Sequence, residues 1–569
     1  MNRNTESHFS QLPQVGVSRS TFDRSHSIKT SFNVGDLIPF MVEEVLPGDT
    51  FKIKTNKVVR LQTLLTPVMD NIYLDTYYFF VPNRLCWEHW RQLMGENTES
   101  AWLPATQYSV PQLEAPAGGW NVGTIADYMG IPTGVENLSV NALPFRAYAL
   151  ICDQWFRDEN LTDPLNVPLT DTTVVGVNTG NYISDTAKGG LPFKASKYHD
   201  YFTSCLPAPQ KGPSVPLPVA AGEGGTLPVF GNGYGLGLTD GTNVRSFSNE
   251  VVGGNLSFGV SGKPVGNESY GQTCGSRTVL GVPTSSQLGD HPEYSGLIAD
   301  GSAFQISVGT INELRQAFQL QKLYERDARG GSRYIELLKS HFGVTSPDGR
   351  LQRPEYLGGN RVPINVNQVV QQSGSVSGQT AQGTVTGMSL TTDSHFDFSK
   401  SFVEHGFVIG VMVARYDHTY QQGLDRMWSR NDRFDYYWPV FANIGEQAVK
   451  NKEIYAQGTA VVDSDGKIVD DKVFGYQEAW ADYRYKPNRV TGEMRSTYAQ
   501  SLDVWHLGDD YASLPALSDA WIREDKSNVD RVLAVKSTNS NQLFCDLYIQ
   551  NQATRPMPMY SIPGLMDHN

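Results

Sequence analysis

The sequence predicts a mainly β protein with a few short helices. Of its 569 residues, 11% are aromatic, 54 are glycine and 31 are proline, a mixture typical of many short strands joined by turns. The segment VEEVLPGDTFKIKTNKVV, residues 42–59, places β-branched residues on both sides of a Pro-Gly-Asp turn. The segment NIYLDTYYFFVP, residues 71–82, then alternates loosely and ends at a proline. Strands with apolar residues on both faces favour packed sheets.

Helical periodicity interrupts this β pattern in four places. Apolar residues at i, i+3, i+4 and i+7 predict a helix from Phe145, with Pro144 well placed at its start. A short helix is predicted over 84–94. The clearest helix covers 311–328 and stops at Gly330-Gly331, and another follows over 332–342. Apolar stripes of this kind are typical of helices that pack against a sheet.

The β signal returns after residue 400. Residues 401–416 and 540–550 predict strands, and the aromatic segment 433–441 is also strand-like. Residues 460–471 predict a hairpin whose Asp465-Gly466 pair suits a type I′ turn. A proline-rich extended tail follows over 555–565.

The stretch 211–300 differs from the rest of the chain. It is rich in glycine, carries few charged residues and has no sustained periodicity. Such a composition supplies too little bulk for a core and does not support a long helix. We therefore expect a surface insertion between two better specified segments.

Charge and cysteine content restrict the function. The formal net charge of −13 repels nucleic acid unless basic residues cluster on one face, so if the protein had a DNA partner, a separate basic protein or small cations would have to supply the countercharge. The five scattered cysteines fit neither a disulfide framework nor a zinc cluster. We find neither a membrane span nor an apolar secretory signal, so we expect the product to stay in the cell that makes it.

The sequence predicts no catalytic residues, no metal site and no cofactor. A dinucleotide fingerprint requires a helix directly after its glycines, and the sequence predicts none after the glycines at 231, 233, 235 and 237. Asp463 and Asp465 resemble the start of a calcium loop, but the closing glutamate is missing. His395 and Asp397 form an H-x-D pair that we interpret as a solvated surface pair. We therefore predict that the protein is not an enzyme.

Basic residues near aromatic ones mark two segments where DNA could be contacted. Arginine with interleaved aromatics can hold a single strand by charge and stacking, but the same residues can form salt bridges at subunit contacts, and both interpretations stay open. The candidates are Arg19, Arg24, His26, Lys29, Arg326, Arg329 and Arg333.

Long segments of the sequence resemble a known family. The segment TFDRSHSIKTSFNVGDLIPFMVEEVLPGDTF, residues 21–51, resembles the amino-terminal region of the major capsid proteins of gokushoviruses, small single-stranded DNA phages of the Microviridae. The resemblance extends over roughly three quarters of the chain, in the same order. It includes YFTSCLPAPQKG at 201–212 and further segments at 314–359, 402–459, 474–496, 501–522 and 555–568.

The resemblance implies an eight-stranded antiparallel jelly-roll barrel with large loop insertions. It implies that sixty copies of the chain form an icosahedral virion shell around single-stranded DNA, assembled in the cytoplasm of a bacterial host. The implied partners are other copies of the chain, a small basic DNA-associated protein, minor, pilot or scaffolding proteins, and a host surface receptor that could be a glycan, with no membrane insertion. The stretch 211–300 would project from the surface.

This framework gives the segments roles. We expect 1–35 to be an interior arm, 36–210 the first part of the jelly roll, 211–300 the insertion, 301–360 a helical segment and 361–569 the remainder. Host-attachment candidates are Phe230, Asn232, Tyr234 and Leu236. Subunit-interface candidates, chosen for their dense aromatics and arginines, are Trp428, Arg430, Arg433, Tyr436, Tyr437 and Trp438.

The alternative function is a β-sandwich protein that binds or hydrolyses carbohydrate, since one fold carries many functions.

Overall fold

The computed structural model describes most of the chain. The described residues are 18–97, 106–213, 215, 219–221, 229–231, 237–239, 244–252, 255–260, 297–299, 306–308, 311–330, 334–343, 352–374, 378 and 381–560. The chain divides into two compact units, Met1–Lys211 with Glu325–Asn569, and Gly212–Tyr324. Strands dominate the described residues and pair mostly antiparallel, so the prediction of a mainly β protein is confirmed.

Two five-stranded sheets form the centre of the first unit in the part of the chain that the structure describes. Sheet 1 contains β1, β2, β4, β8 and β10, and sheet 2 has the order β7-β5-β9-β3-β6. The strands, numbered in chain order, are β1 (Ser20–Asp23), β2 (His26–Phe32), β3 (Asp36–Val45), β4 (Thr50–Leu61), β5 (Ile72–Pro82), β6 (Phe193–Lys194), β7 (Glu355–Pro363), β8 (Thr391–Ser401), β9 (Gly406–Tyr416) and β10 (Leu543–Arg555).

Strand β10 lies inside sheet 1 although it comes last in the chain. It pairs along one edge with β4, from Leu543 opposite Leu61 to Thr554 opposite Thr50. Its other edge is covered by β2 and then by β1. Buried and exposed side chains alternate strictly along β4 and β10, which is the pattern of strands with one face on a core.

The main hydrophobic cluster lies between the two sheets, since it takes inward-facing residues from both. The predicted Pro47-Gly48-Asp49 turn carries the chain from β3 in sheet 2 to β4 in sheet 1, and it is confirmed. Gly48 has a φ of +94°, which favours glycine, and the Asp49 carboxylate accepts the Leu46 N–H at 2.9 Å. The turn is therefore fixed by backbone conformation and by one side-chain bond.

A second cluster covers the outer face of sheet 2. The predicted helix from Phe145 is confirmed as α1 (Leu143–Ile151), with Pro144 in its first turn and a π-helical turn, Cys152–Phe156, after it. The predicted helix over 84–94 is wrong, because two short helices stand there, Asn83–Cys86 and Trp90–Leu93. Trp87 breaks the helix: its backbone is extended, its ring is buried and its Nε1 donates to Asp171 at 2.6 Å.

The two helices predicted after residue 310 are confirmed as α2 (Ile311–Gly330) and α3 (Tyr334–Phe342). The remaining elements of the first unit are short. Its other α-helices are Ile125–Tyr128, Asn451–Ile454, Ala481–Arg484, Asp519–Ile522 and Ser527–Val532, and its other strands are Gln112–Glu114, Ser139–Asn141, Val174–Val175, Val366–Val370, Val385–Ser389, Thr419–Tyr420, Glu446–Lys450, Val473–Glu478 and Asn488–Arg489.

Of two local predictions in the carboxyl-terminal half, one is wrong and the other is wrong only in its turn type. The segment 433–441 forms two 3₁₀ turns, Arg433–Asp435 and Pro439–Phe441, rather than a strand. The two arms of the predicted hairpin over 460–471 do pair, through an antiparallel bridge between Val462 and Ile468 and a bond from the Val469 N–H to the Val461 carbonyl at 3.0 Å, but its turn is not type I′ because only Gly466 of the pair has a positive φ.

The second unit consists of nested antiparallel pairs. Val219–Ala221 pairs with Ile306–Val308, and Val229–Gly231 pairs with Leu297–Ala299. A three-stranded sheet follows, made of Gly237–Thr239, Val244–Val252 and Asn255–Val260. The low-bulk sequence thus still forms ordered backbone pairing at these positions.

A buried histidine joins the carboxyl-terminal loops to the sandwich. His418 follows β9, and its Nδ1 lies 3.0 Å from Asp509 Oδ1 while its Nε2 lies 3.1 Å from Glu524 Oε1. Burial alone would lower the pKa of His418, but the two carboxylates outweigh it and raise the pKa to about 10. Burial would raise the pKa of Asp509, and the imidazolium instead lowers it to about 2. His418 is therefore charged at neutral pH.

We predict that His418→Gln lowers the free energy of unfolding at pH 7 by roughly 3–5 kcal/mol, because two buried carboxylates lose their cation. The contribution of His418 is fully present below its ordinary pKa of about 6.5 and is lost as the pH rises through its folded-state value. Urea unfolding of both proteins between pH 7 and pH 10 should therefore show the difference shrinking. His199→Gln, at an exposed histidine, is the matched control. A pH-independent difference for His418→Gln would contradict the charged assignment.

Candidate assembly surface

One short segment of the first unit exposes many large apolar side chains. We call this set the aromatic surface. Each of its members is between 45% and 89% exposed, which is unusual for large apolar residues close together in a chain. The members are Met427, Trp428, Phe434, Tyr436, Tyr437, Trp438 and Val440.

Carboxylates, rather than strand pairing, fix the backbone of this segment. The Asp432 carboxylate accepts the Phe434 N–H at 2.6 Å, and the Asp435 carboxylate accepts the N–H groups of Asn431 and Asp432 at 2.7 and 3.1 Å. These backbone donors lower the pKa of Asp435, so the carboxylate stays ionised and keeps the bonds. Reciprocal bonds of this kind form a capping box. They explain why a segment with high β propensity folds into turns.

Arg430 lies beneath the aromatic surface and supports it. Its side chain is only 8% exposed, and its guanidinium forms an ion pair with Asp482 and lies 4.4 Å from the centre of the Tyr483 ring and 5.4 Å from that of the Tyr436 ring. A planar guanidinium can make both kinds of contact at once. Arg430 thereby ties the segment 430–436 to the helix Ala481–Arg484.

Trp480 forms the second support. It has a positive φ of 66°, and its indole Nε1 donates to the Phe441 carbonyl at 2.9 Å. Its ring meets Tyr437 edge to face, with the centroids 5.7 Å apart. On the surface itself, Trp438 Nε1 donates to the Arg433 carbonyl at 2.8 Å. Three of the exposed rings, those of Tyr436, Tyr437 and Trp438, are therefore held in place within a single subunit.

Five of the six interface candidates are exposed on this segment: Trp428, Arg433, Tyr436, Tyr437 and Trp438. The sixth, Arg430, is the buried support. Sequence reasoning did not single out Val440, the most exposed member, or Phe434, because neither stands in a pattern that separates an exposed apolar residue from a core residue.

Several of the candidate DNA-contacting residues have partners within the chain. Arg24 forms an ion pair with Glu43 at 2.7 Å, and Lys29 lies 3.6 Å from Asp546. The other described candidates are Arg19, which donates to Gly48 and Thr50, His26, which contacts the Arg24 carbonyl, Arg329, which pairs with Glu446, and Arg326, which is exposed. Arg333 lies outside the described residues.

The candidate attachment residues belong to the second unit. The backbone of Phe230 lies in the strand Val229–Gly231. Asn232, Tyr234 and Leu236 lie outside the described residues.

The interpretation of His395 and Asp397 as a solvated surface pair is wrong. His395 Nδ1 lies 3.2 Å from Asp397 Oδ1, but the Asp397 side chain is fully buried and accepts a bond from Thr55 at 2.5 Å. Asp397 falls at the irregularity in the pairing of β8 with β4, between Phe396 and Phe398, and its burial there is not revealed by the sequence spacing alone.

Metal binding, membrane spanning and thiol chemistry have little support within the described ranges. No group of three or more His, Cys, Asp or Glu side chains there is placed to hold a metal ion. Of the helices there, none combines the length and apolar content needed to cross a membrane. Cys86, Cys152, Cys205 and Cys545 are buried, and burial raises the pKa of the Cys86 and Cys545 thiols to about 12. These thiols are therefore protonated at neutral pH.

Comparison with known proteins decides the family. The profile of the family described as capsid protein (F protein) matches residues 10–565. The chain belongs to the capsid protein (F protein) family. Three relatives are named capsid protein VP1. The one of Chlamydia phage 1 is 44% identical, with 98% of each chain covered, and the one of Spiroplasma virus 4 is 42% identical, with 98% of this chain and 97% of the relative covered.

The third relative, from Bdellovibrio phage phiMH2K, is 41% identical over 99% of this chain and 98% of its own. All three matches run over nearly the full length, so they include the sandwich, the aromatic surface and the second unit. The resemblance to a phage capsid family that the sequence segments indicated is confirmed.

We predict that Arg430→Met lowers the free energy of unfolding of the isolated subunit by roughly 1.5–3 kcal/mol, because Asp482 is left without its charged partner. Arg433→Met is the matched control, since Arg433 is exposed, and it should change stability by less than about 0.5 kcal/mol. Denaturant unfolding of the soluble subunits measures both values. Equal effects of the two substitutions would show that Arg430 does not support the surface.

Proposed function

We propose that this chain is a major capsid protein that self-assembles into an icosahedral shell of sixty copies around a single-stranded DNA genome. In this proposal it resides in the virion, and the aromatic surface becomes buried between neighbouring copies. The observation that carries the proposal is this exposed surface, held rigid within a subunit of a capsid family. A non-enzymatic, structural role follows from the same assignment.

The physical basis is the removal of apolar surface from water. Full burial of one large apolar side chain stabilises by about 1.5–3 kcal/mol, and the members of the aromatic surface begin roughly half exposed. Each subunit interface would then gain several kcal/mol before the loss of translational freedom is subtracted. Contacts of modest strength, repeated by symmetry, hold a closed particle together.

The fold supports a jelly roll. The two sheets contain eight strands of seven residues or more, namely β2, β3, β4, β5, β7, β8, β9 and β10. Successive strands change sheets at β2 to β3, β3 to β4, β4 to β5, β7 to β8, β8 to β9 and β9 to β10. Such crossings between two antiparallel sheets are typical of jelly rolls, and we propose that these eight strands form one.

The partners follow from charge. A subunit with a net charge of −13 cannot neutralise an enclosed genome, and several candidate DNA contacts already have acidic partners within the chain. We therefore include a small basic DNA-associated protein in the particle. Minor, pilot or scaffolding proteins complete the assembly, and a host surface receptor, such as a glycan, meets the segment 211–300.

Electron microscopy of protein purified from cells that also make the other phage proteins tests the proposal. Uniform closed particles with surface projections support it. Only small soluble species under these conditions would count heavily against a shell.

We predict that Val440→Asp prevents shell closure while leaving the subunit folded, because the side chain is 89% exposed in the subunit but buried after assembly. Val403→Asp is the matched control, at a valine that is 84% exposed outside the aromatic surface. Sedimentation should find Val440→Asp as subunits or small oligomers and Val403→Asp as particles. If Val440→Asp forms normal particles, the aromatic surface is not part of the subunit interface.

We also predict that deletion of residues 222–281 spares particle formation but reduces adsorption to host cells, because loops vary while scaffolds do not. Particle yield is measured by sedimentation, and adsorption by the loss of free particles after mixing with host cells. Failure of the shells to close would mean that the insertion is structural and that the attachment role belongs elsewhere.

A further inference from the structure

Three polar side chains from both sheets meet inside the sandwich. Lys57 stands on β4 at an inward-facing position and is only 2% exposed. Asp393 is its cross-strand partner on β8. Asn360 comes from the other sheet, on β7, where it pairs with Thr76 of β5. Strand β4 and the two edge strands β7 and β8 thus bring an amine, an amide and a carboxylate together.

Each of the three groups contacts the other two. Lys57 Nζ contacts Asn360 Oδ1 and lies 3.0 Å from Thr76 Oγ1. Asn360 Nδ2 donates to Asp393 Oδ2 at 3.0 Å, and the same oxygen lies 3.4 Å from Lys57 Nζ. The amine therefore faces the carbonyl of the amide, and the carboxylate reaches both nitrogens.

The surroundings favour a reactive amine. Lys57 lies on the β4 face whose apolar neighbours, among them Ile53 and Val59, belong to the main hydrophobic cluster. Burial lowers the pKa of the Lys57 ammonium, although Asp393 and Asp397 oppose this effect. A lysine with a lowered pKa is deprotonated more often, and the neutral amine is a nucleophile. A purely structural role would instead leave a buried cation that loses its hydration.

We propose that Lys57 and Asn360 form an intramolecular isopeptide bond. In this reaction the neutral Lys57 Nζ attacks Asn360 Cγ, the carbon bonded to the contacted Oδ1. The new Nζ–Cγ bond forms, the Cγ–Nδ2 bond breaks, and Nδ2 leaves as ammonia. The products are a secondary amide and one ammonia, so neither an oxidant nor a cofactor is consumed.

Asp393 and Thr76 have defined roles in this step. Asp393 accepts a proton from the attacking nitrogen and returns it to the departing Nδ2, since its Oδ2 contacts both. The Thr76 hydroxyl donates to Asn360 Oδ1 at 3.2 Å, where negative charge develops. The fold holds the amine against the amide, so no bimolecular encounter is needed. This proximity accounts for much of the rate of the cross-linking reaction.

The bond would link the two sheets covalently. Lys57 and Asn360 are separated by 303 positions in the chain, and the second unit lies within the closed loop. A cross-link over such a loop restricts the unfolded state strongly. The sandwich would then resist opening at the edge formed by β7 and β8.

Mass spectrometry of the wild-type protein tests the proposal directly. The intact mass should be lower than the sequence mass by one ammonia, after any loss of the initiating methionine is counted. Proteolysis should release one branched peptide that contains both Lys57 and Asn360. An intact mass equal to the sequence mass would overturn the proposal.

Variants separate this reaction from other losses of ammonia. Lys57→Ala and Asn360→Ala should have their full sequence masses, and Asp393→Asn should accumulate the uncross-linked form. Lys54→Ala, at an exposed lysine of the same strand, should retain the loss and is the matched control. Cyclisation of Asn360 to a succinimide also releases ammonia, but it links no second peptide and persists in Lys57→Ala. Loss of ammonia without a branched peptide would therefore overturn the proposal even if the variants do not fold.

Discussion

Strand β10 closes the sandwich, because it supplies the interior of sheet 1 between β4 and the two amino-terminal strands. Its ladder with β4 runs over twelve paired positions and joins opposite ends of the chain. Closing so long a loop has a large entropic cost, but this cost grows only slowly as the loop lengthens. A sandwich that already depends on this closure can therefore hold long intervening segments, including the second unit, with little further loss of stability.

The interior of the first unit is not wholly apolar, and its charged groups mostly connect separate elements. His418 joins the end of β9 to two carboxylates on carboxyl-terminal loops. Asp75 on β5 binds Arg361 of β7 and Arg415 of β9 at 2.7 and 2.6 Å. Buried ion pairs contribute little net stability, but an alternative register would leave each charge unpaired at a high cost. They therefore restrict how the strands and loops can pair.

The sequence predicted elements where one local signal was strong. The strand 540–550 was predicted from the β signal that returns after residue 400, and a turn that needs glycine marked the change between β3 and β4. The error at 433–441 arose because aromatic residues favour strands, whereas hydrogen bonds from Asp432 and Asp435 hold turns there. In the same way, the buried Trp87 interrupts a helix that periodicity alone would continue. These errors share one cause, since side-chain contacts overrode propensity.

The two candidate sites also differ in how far the sequence alone reveals them. The aromatic surface was visible as composition, because its members are neighbours in the chain. The cluster of Lys57, Asn360 and Asp393 was not, because the first two are separated by 303 positions and meet only through strand pairing in both sheets. Nor could the sequence separate Arg430, which is buried beneath the rings, from the exposed Arg433, although both stand among the same aromatics.

The supports beneath the aromatic surface bear on how a shell can form. Exposed apolar rings on a mobile loop would lose conformational freedom at every new contact, and this loss would subtract from the gain of burial. Arg430, Trp480 and the Asp432 cap fix the backbone and rings within the subunit, so less freedom remains to be lost. The acidic net charge opposes indiscriminate association of such surfaces. If this surface is the contact between copies, as we propose, assembly depends on geometric fit, because only a fitted contact buries enough apolar area to overcome the repulsion.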